Sequence, residues 1–307
     1  MDHGSAVACA DLGLNEAPAS PPVASLADAY AACRALSGGH YENFPVASLL
    51  LPAGLRGPVA AVYAFARTAD DFADEGAGGP EERLGLLAGW RRRLADAAAG
   101  RHGGHPVFWA LSDVITRFSL PAAPFDRLIT AFERDVTVRR FPAFDDVLDY
   151  CRHSANPVGE LVLRLAGAWT PRRGAWSDDI CTALQLANFW QDVTVDARKD
   201  RVYAPLEDLD ARGIPVEGYL SGPATPAHKE LMAFEVERTR GLFARGRPLC
   251  DDAPRGLRPW LRAVWLGGTR VLDRIEARGW DVWSGRPALT ARDALALLPR
   301  WLLWRRA

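Results

Sequence analysis

Several things are scarce in this chain, and each shortage removes a class of function. Among 307 residues there are five cysteines (Cys9, Cys33, Cys151, Cys181 and Cys250), odd in number, scattered, and with no Cys-x-x-Cys pair. A disulfide framework or structural zinc site is therefore not expected, and a reducing cytoplasm fits this usage. The six histidines include no His-Glu-x-x-His. Net charge is −1 with no long basic run, which argues against a protein that coats nucleic acid. No apolar run reaches the roughly 18 residues that a membrane span requires. The stretch MDHGSAVACADLGLNEAPASPP carries acids where a secretory signal needs positive charge, and it lacks a continuous apolar centre.

Alternation of apolar and polar residues is also rare. The segment 201–205 (RVYAP) reads as a short strand limited by its proline. Apolar residues at helical spacing are abundant instead, in a chain that is 49% hydrophobic and 24% charged. The pattern predicts helices over 25–36, 56–77, 80–99, 105–118, 122–137, 143–153, 157–170, 176–196, 227–248, 256–282 and 288–305. Pro80-Glu81-Glu82 marks one start, Ser177-Asp178-Asp179 offers capping oxygens for another, and 213–226 reads as a loop. Residues 1–24, rich in Ala, Ser and Pro, read as a disordered leader. Residues 25–307 read as one all-α domain.

Two of these helices carry polar stripes through apolar surroundings. In QLANFWQDVTVD, Gln185, Asn188, Asp192 and Asp196 are spaced three, four and four apart and share a helix face. In VYAFARTADDFADE, Tyr63, Arg67, Asp70 and Asp74 are spaced four, three and four. Asp145 and Asp149 make a similar pair. However, Pro142 places Asp145 and Asp146 in a helix first turn, where acids suit the dipole, so that pair reads as structural.

The two stripes lie mid-helix, where unpaired carboxylates on a buried face are costly and neighbouring acids repel. Arg67 partly neutralises the first stripe, whereas Asp192 and Asp196 have no basic neighbour within their helix. A divalent cation resolves both conflicts. Ligands that are all oxygen suit Mg²⁺ better than zinc, and Mg²⁺ commonly shares its shell with substrate phosphates. A diphosphate substrate is the natural inference.

YAFARTADDFAD paired with QLANFWQDVTVD resembles the two aspartate-rich motifs of the squalene/phytoene synthase family. KDRVYAP (199–205), HYENFP (40–45) and YCRHSANPVGE (150–160) extend the resemblance from about 25 to 285. It implies an isoprenoid synthase fold, all-α, with a central cavity and the two motifs facing each other at its mouth. By position, Asp70, Asp74, Asn188, Asp192 and Asp196 would hold a cluster of three Mg²⁺ ions on a prenyl diphosphate. Tyr63, Arg67 and Gln185 would line the same site, with Arg67 helping to stabilise departing diphosphate. His40, Phe44, Tyr150, Asn156, Gln191, Arg201 and Tyr203 would contact substrate. Phe189 and Trp190 are further aromatic candidates for the cavity wall, where ring faces stabilise positive charge. Each of these aromatics reads equally as plain core.

Many head-to-head condensing members have Arg immediately before the first Asp of the second motif, where this chain has Gln191. ENFPVAS (42–48), SANPVGELVL (154–163) and NFWQDV (188–193) resemble the bacterial hydroxysqualene synthase branch. That resemblance implies ionisation of presqualene diphosphate, capture of the cation by water, and a place in hopanoid biosynthesis beside a partner enzyme of the pathway. No NADPH is expected, in keeping with the lack of a glycine-rich dinucleotide fingerprint. His40, Glu42, Asn43, Ser154 and Asn156 are candidates to position the water. The alternatives are a condensing squalene, dehydrosqualene or phytoene synthase and a non-catalytic binding protein of the same fold. The C-terminal LPRWLLWRRA (298–307) reads either as a last helix packed on the core or as a peripheral contact with the inner membrane face.

Overall fold

The computed structural model describes residues 23–38, 50–74 and 78–304. Most of the expected leader, together with His40, Glu42, Asn43, Phe44, Arg305 and Arg306, lies outside the described residues. Among the described residues there are helices and no strands. The expected strand at 201–205 is reduced to a single parallel bridge, Arg140 with Val202. No helix among them is long and apolar enough to cross a membrane.

The chain divides into two compact units. The first takes in helices α1 (Leu26–Gly38), α2 (Ala53–Asp74), α3 (Pro80–Ala98), α4 (Pro106–Phe118) and α5 (Ala123–Thr137), with residues 161–167. Its core is aromatic. Phe65 on α2 stacks on Trp90 of α3 at 5.8 Å and meets Phe125 of α5 edge-on at 5.5 Å. Phe72 meets Trp90 edge-on at 5.4 Å. Trp90 is fully buried, and its indole N–H donates to the Phe65 carbonyl at 3.2 Å, so the one polar atom of the ring is satisfied. α3 begins at Pro80 with Glu81 and Glu82 in its first turn, as the sequence predicts. Arg83 reaches back to the carbonyls of Ala73 (2.9 Å) and Gly78 (3.1 Å), closing the C-terminal end of α2.

The second unit holds α6 (Phe144–Ser154), α8 (Pro171–Gln191), α9 (Val193–Arg198), α10 (Leu206–Asp210), α11 (Val216–Ser221), α12 (Pro226–Gly246), α13 (Leu249–Asp252), α14 (Arg258–Ala277) and α15 (Ala291–Leu302). α7 (Asn156–Leu165) gives its first turns to this unit and its last to the other. α7 stops short of the predicted 170 because Gly167 takes a left-handed conformation (φ 60°).

α8 starts seven residues, about two turns, earlier than the Ser177 cap would set. Thr170 caps it, its hydroxyl accepting from the Arg173 N–H at 3.2 Å, and Pro171 at the first position is already shaped for a helix. α8 and α12 pack closely at Gly246. A Cβ there would meet Ile180 Cγ1 at 2.5 Å and the Trp176 carbonyl oxygen at 2.7 Å, so only glycine lets the backbones approach. The expected loop over 213–226 contains the short helix α11.

Candidate functional site

Each unit carries one of the two polar stripes. In the first, Tyr63, Arg67, Asp70 and Asp74 lie half-buried along α2, beside the buried Val62, Phe65, Ala69, Phe72 and Ala73. The apolar majority faces the aromatic core and holds the helix in place, which fixes where the polar residues emerge. Arg67 pairs with Asp71 at 2.7 Å and with Asp70 at 3.4 Å. The sequence reading paired Arg67 with the stripe in general; Asp71 is a stronger partner it did not name. By holding Asp71, the guanidinium limits the repulsion that three acids within five positions would otherwise exert.

In the second unit, Gln185, Asn188, Asp192 and Asp196 are all half-buried, while Leu186, Ala187, Phe189, Trp190 and Val193 between them are buried. The stripe is real, but the helix under it is not continuous. α8 ends at Gln191, and Asp192 (φ −102°, ψ 13°) is the joint from which α9 departs. The Asp192 N–H still donates to the Asn188 carbonyl at 2.9 Å, and the Asp196 N–H donates to the Asp192 carbonyl at 2.9 Å. The chain therefore bends without losing these bonds. The continuous helix expected over 176–196 is corrected to two helices meeting at the first aspartate of the motif.

The basic partner that Asp192 lacks within its helix comes from a distant loop. Arg286, in the loop after α14, grips the Asp192 carboxylate with two nitrogens, Nη2 lying 3.3 Å from Oδ2. Next to this pair, Gln191 is 2% exposed and its amide N–H donates to the Pro287 carbonyl, while its Oε1 is buried without a hydrogen-bond partner. Gln191 thus points into the protein and fastens the loop that carries Arg286. Arg286 escaped the sequence reading because it lies beyond the helical patterns, in SGRP, where no periodicity reaches it.

Asp196 has its own surroundings. The Arg201 N–H donates to its carbonyl at 3.0 Å, which ties KDRVYAP to the motif. The Tyr219 phenol, buried on α11, is pushed up by burial and by the nearby carboxylates of Asp196 and Glu235. Arg201 itself is 7% exposed.

Three of the expected substrate-side aromatics come together. Phe189 and Tyr203 stack face to face at 3.7 Å, and Tyr150 lies 6.1 Å from Phe189 and 6.0 Å from Tyr203. Phe141 completes the group, 5.5 Å from Tyr150 and 5.6 Å from Tyr203. Trp190 is instead plain core, fully buried with its indole N–H donating to the Thr239 hydroxyl at 2.8 Å. Asn156 is buried and accepts from the Thr182 hydroxyl at 3.0 Å, tying α7 to α8. Beside Asp145, Asp146 caps α6 by accepting from the Ala143 N–H at 2.9 Å.

The model of the family described as squalene/phytoene synthase matches residues 38–293, a span that includes both stripes, the aromatic group and Arg286. The chain belongs to the squalene/phytoene synthase family. The squalene synthase HpnC from Alicyclobacillus acidocaldarius superposes with a TM-score of 0.79 at 39% identity, over 83% of this chain and 96% of that one. A hydroxysqualene synthase from Rhodopseudomonas palustris is 37% identical over 212 residues, 69% of this chain and 71% of its own length. A phytoene synthase from Arthrospira platensis is 29% identical over 305 residues, 94% of this chain and 97% of its own. The isoprenoid synthase fold expected from the motifs is the fold found. Squalene/phytoene synthases act on prenyl diphosphates, the substrate class inferred from the stripes.

Proposed function

We propose that this squalene/phytoene synthase family member is a hydroxysqualene synthase, converting presqualene diphosphate and water into hydroxysqualene and diphosphate with the help of Mg²⁺. The observation that carries this reading is the identity gradient. It is 37–39% with a hydroxysqualene synthase and with a squalene synthase of the HpnC type, against 29% with a phytoene synthase. The neutral Gln191, seated inward on Pro287, supports it, because many condensing members of the family carry an arginine at that position.

The donor atoms fit Mg²⁺. Asp70, Asp74, Asn188, Asp192 and Asp196 offer oxygen only, all half-buried rather than sealed in the core. Among the described residues no group of three or more His, Cys, Asp or Glu side chains forms a metal cage. A Mg²⁺ ion held by one or two of these carboxylates would complete its shell with water and phosphate oxygens. When bound, the ions supply Lewis-acid stabilisation of the departing diphosphate.

The chain's own residues then have separable tasks. Asp70, Asp74, Asn188, Asp192 and Asp196 would hold the ions, and Arg67 would add its own positive charge to offset that of the diphosphate. The carbon–oxygen bond to diphosphate breaks with its electron pair leaving on oxygen. The resulting cyclopropylcarbinyl cation would be stabilised by aromatic rings that cannot capture it, a role for which Tyr150, Phe189 and Tyr203 are the candidates. Water adds its oxygen to the cation and loses a proton to solvent or diphosphate, which balances the reaction with no hydride donor.

A second reading, a condensing phytoene or squalene synthase, is favoured by one observation: the phytoene synthase match covers 94% of this chain, the hydroxysqualene synthase match 69%. Purified protein with Mg²⁺ and either presqualene diphosphate or farnesyl and geranylgeranyl diphosphates separates the two. Hydroxysqualene from presqualene diphosphate alone, without NADPH, is the expected outcome. A C30 or C40 hydrocarbon formed directly from an allylic diphosphate would replace this reading with the second.

A further inference from the structure

We infer that Arg140 is a positioning residue for Asp196, the last aspartate of the second stripe. The inference rests on the reading of Asp196 as a Mg²⁺ ligand. The C-terminal end of α9 is closed around that residue. The Lys199 and Arg201 N–H groups both donate to the Asp196 carbonyl, at 2.9 and 3.0 Å, and the Asp200 N–H donates to the Ala197 carbonyl at 3.1 Å. In this kind of helix ending, the residue just past the last turn goes left-handed so that the final carbonyls find partners. Here that residue is Asp200, with φ 55°. Glycine suits the position best, because any side chain crowds the following carbonyl. An aspartate there needs support from outside the helix.

The support comes from the segment that follows α5, which lies in the same unit as α9. Arg140 reaches Asp200 with both terminal nitrogens, Nη1 donating to its carbonyl and Nη2 to its carboxylate Oδ1. Arg139 Nη1 donates to the Lys199 carbonyl at 2.9 Å, and the Val202 N–H donates to the Arg139 carbonyl at 3.0 Å. The bridge between Arg140 and Val202, all that remains of the expected strand, sets the register of the two segments.

The Asp200 carboxylate is exposed and Arg140 is half-buried, so the ion pair alone contributes little. Its leverage is geometric. One guanidinium holds both the backbone and the side chain of the residue in the disfavoured conformation, while the residues on either side are tied toward Arg139. Without Arg140, Asp200 is free to return to an ordinary backbone conformation, and the Arg201 bond to the Asp196 carbonyl opens with it. The Asp196 carboxylate then loses its fixed bearing, the way a metal ligand does when its outer supports are removed.

Electron paramagnetic resonance titration of the substrate-free full chain with Mn²⁺, standing in for Mg²⁺, tests this. A thermal midpoint well above the titration temperature establishes that each variant folds. R140Q should bind Mn²⁺ about three- to tenfold more weakly than the unaltered chain. Charge alone predicts the opposite, since removing a cation favours the binding of another. R140Q/D200A and R140Q/D200G both keep the net charge of the unaltered chain and differ from each other by one methyl group. The alanine variant should stay weakened, and the glycine variant should return to within about twofold of the unaltered chain, because glycine takes the left-handed turn unaided. An affinity that R140Q leaves unchanged or tightens, or a loss that glycine does not restore, would overturn the inference. If D196N weakens Mn²⁺ binding in the same series, the metal reading survives that result. If D196N changes nothing, Asp196 is not a ligand, and the metal reading and this inference fail together.

Discussion

Arg286 and Asp192 are 94 positions apart in the chain, yet the guanidinium of one grips the carboxylate of the other with two nitrogens. The pair is half-buried, so its net strength is that of a partly solvated ion pair, about 0.5–1 kcal/mol. A divalent ion approaching Asp192 has to compete with it. Arg286→Gln should therefore tighten binding of Mn²⁺, used as a spectroscopic substitute for Mg²⁺, by about two- to fivefold in the absence of substrate. Electron paramagnetic resonance titration of free Mn²⁺ measures this directly. An unchanged affinity would mean that Arg286 does not compete with the ion.

Gln191 fastens the loop that carries Arg286 through its hydrogen bond to Pro287. Gln191→Ala removes a buried bond and leaves a small void, with an expected loss of about 1–3 kcal/mol in stability. It should also reproduce part of the Mn²⁺ effect of Arg286→Gln, because the arginine loses its anchor. Denaturant unfolding and the same Mn²⁺ titration, run on the single variants and the double, check both statements. Strict additivity of the two changes in Mn²⁺ affinity would contradict the proposed coupling.

Glu235 is fully buried on α12, where its carboxylate and that of Asp208 both accept from Nη2 of Arg238, at 2.6 and 2.7 Å. Burial outweighs the arginine and pushes the Glu235 carboxyl up from 4.5 to about 7. An acid whose native value is raised binds its proton more tightly folded than unfolded. Its contribution is therefore fully present below about pH 4.5 and is lost as pH rises through about 7. Glu235→Gln should accordingly be more stable than the unaltered chain at pH 8, by on the order of 2–3 kcal/mol, and about equal to it at pH 4.5. Urea unfolding at the two pH values tests the sign. Equal loss at both would show that the charged pair with Arg238 dominates.

Much of this was readable in the sequence, and the reasons are local. The spacing of Gln185, Asn188, Asp192 and Asp196 was enough to place all four on one half-buried line, because three-and-four spacing is a property of any helix. Position in a first turn separated Asp145 and Asp149 from the two stripes, and the neighbouring Asp146 does cap its helix. The helix joint at Asp192 was not readable. No Gly or Pro marks it, and the run Val193-Thr194-Val195 lowers helix propensity only slightly. Arg286 and Glu235 were invisible for a different reason. What matters about them is which distant group they meet, and no pattern along the chain encodes that. Of the two readings of the C-terminal segment, the helix packed on the core is the one the contacts support. The indoles of Trp301 and Trp304 pack inward as in a last core helix, while the leucines stay outside.

The joint at Asp192 sets the two stripes apart mechanically. Asp70 and Asp74 sit on one unbroken helix, so the span between their side chains is fixed by the helical repeat. Asn188 and Asp196 stand on opposite sides of a bend whose angle depends on the backbone of a single residue. The first stripe is a fixed gauge. The second spans a joint, so the separation of Asn188 and Asp196 is set by φ and ψ of Asp192 rather than by the helical repeat alone.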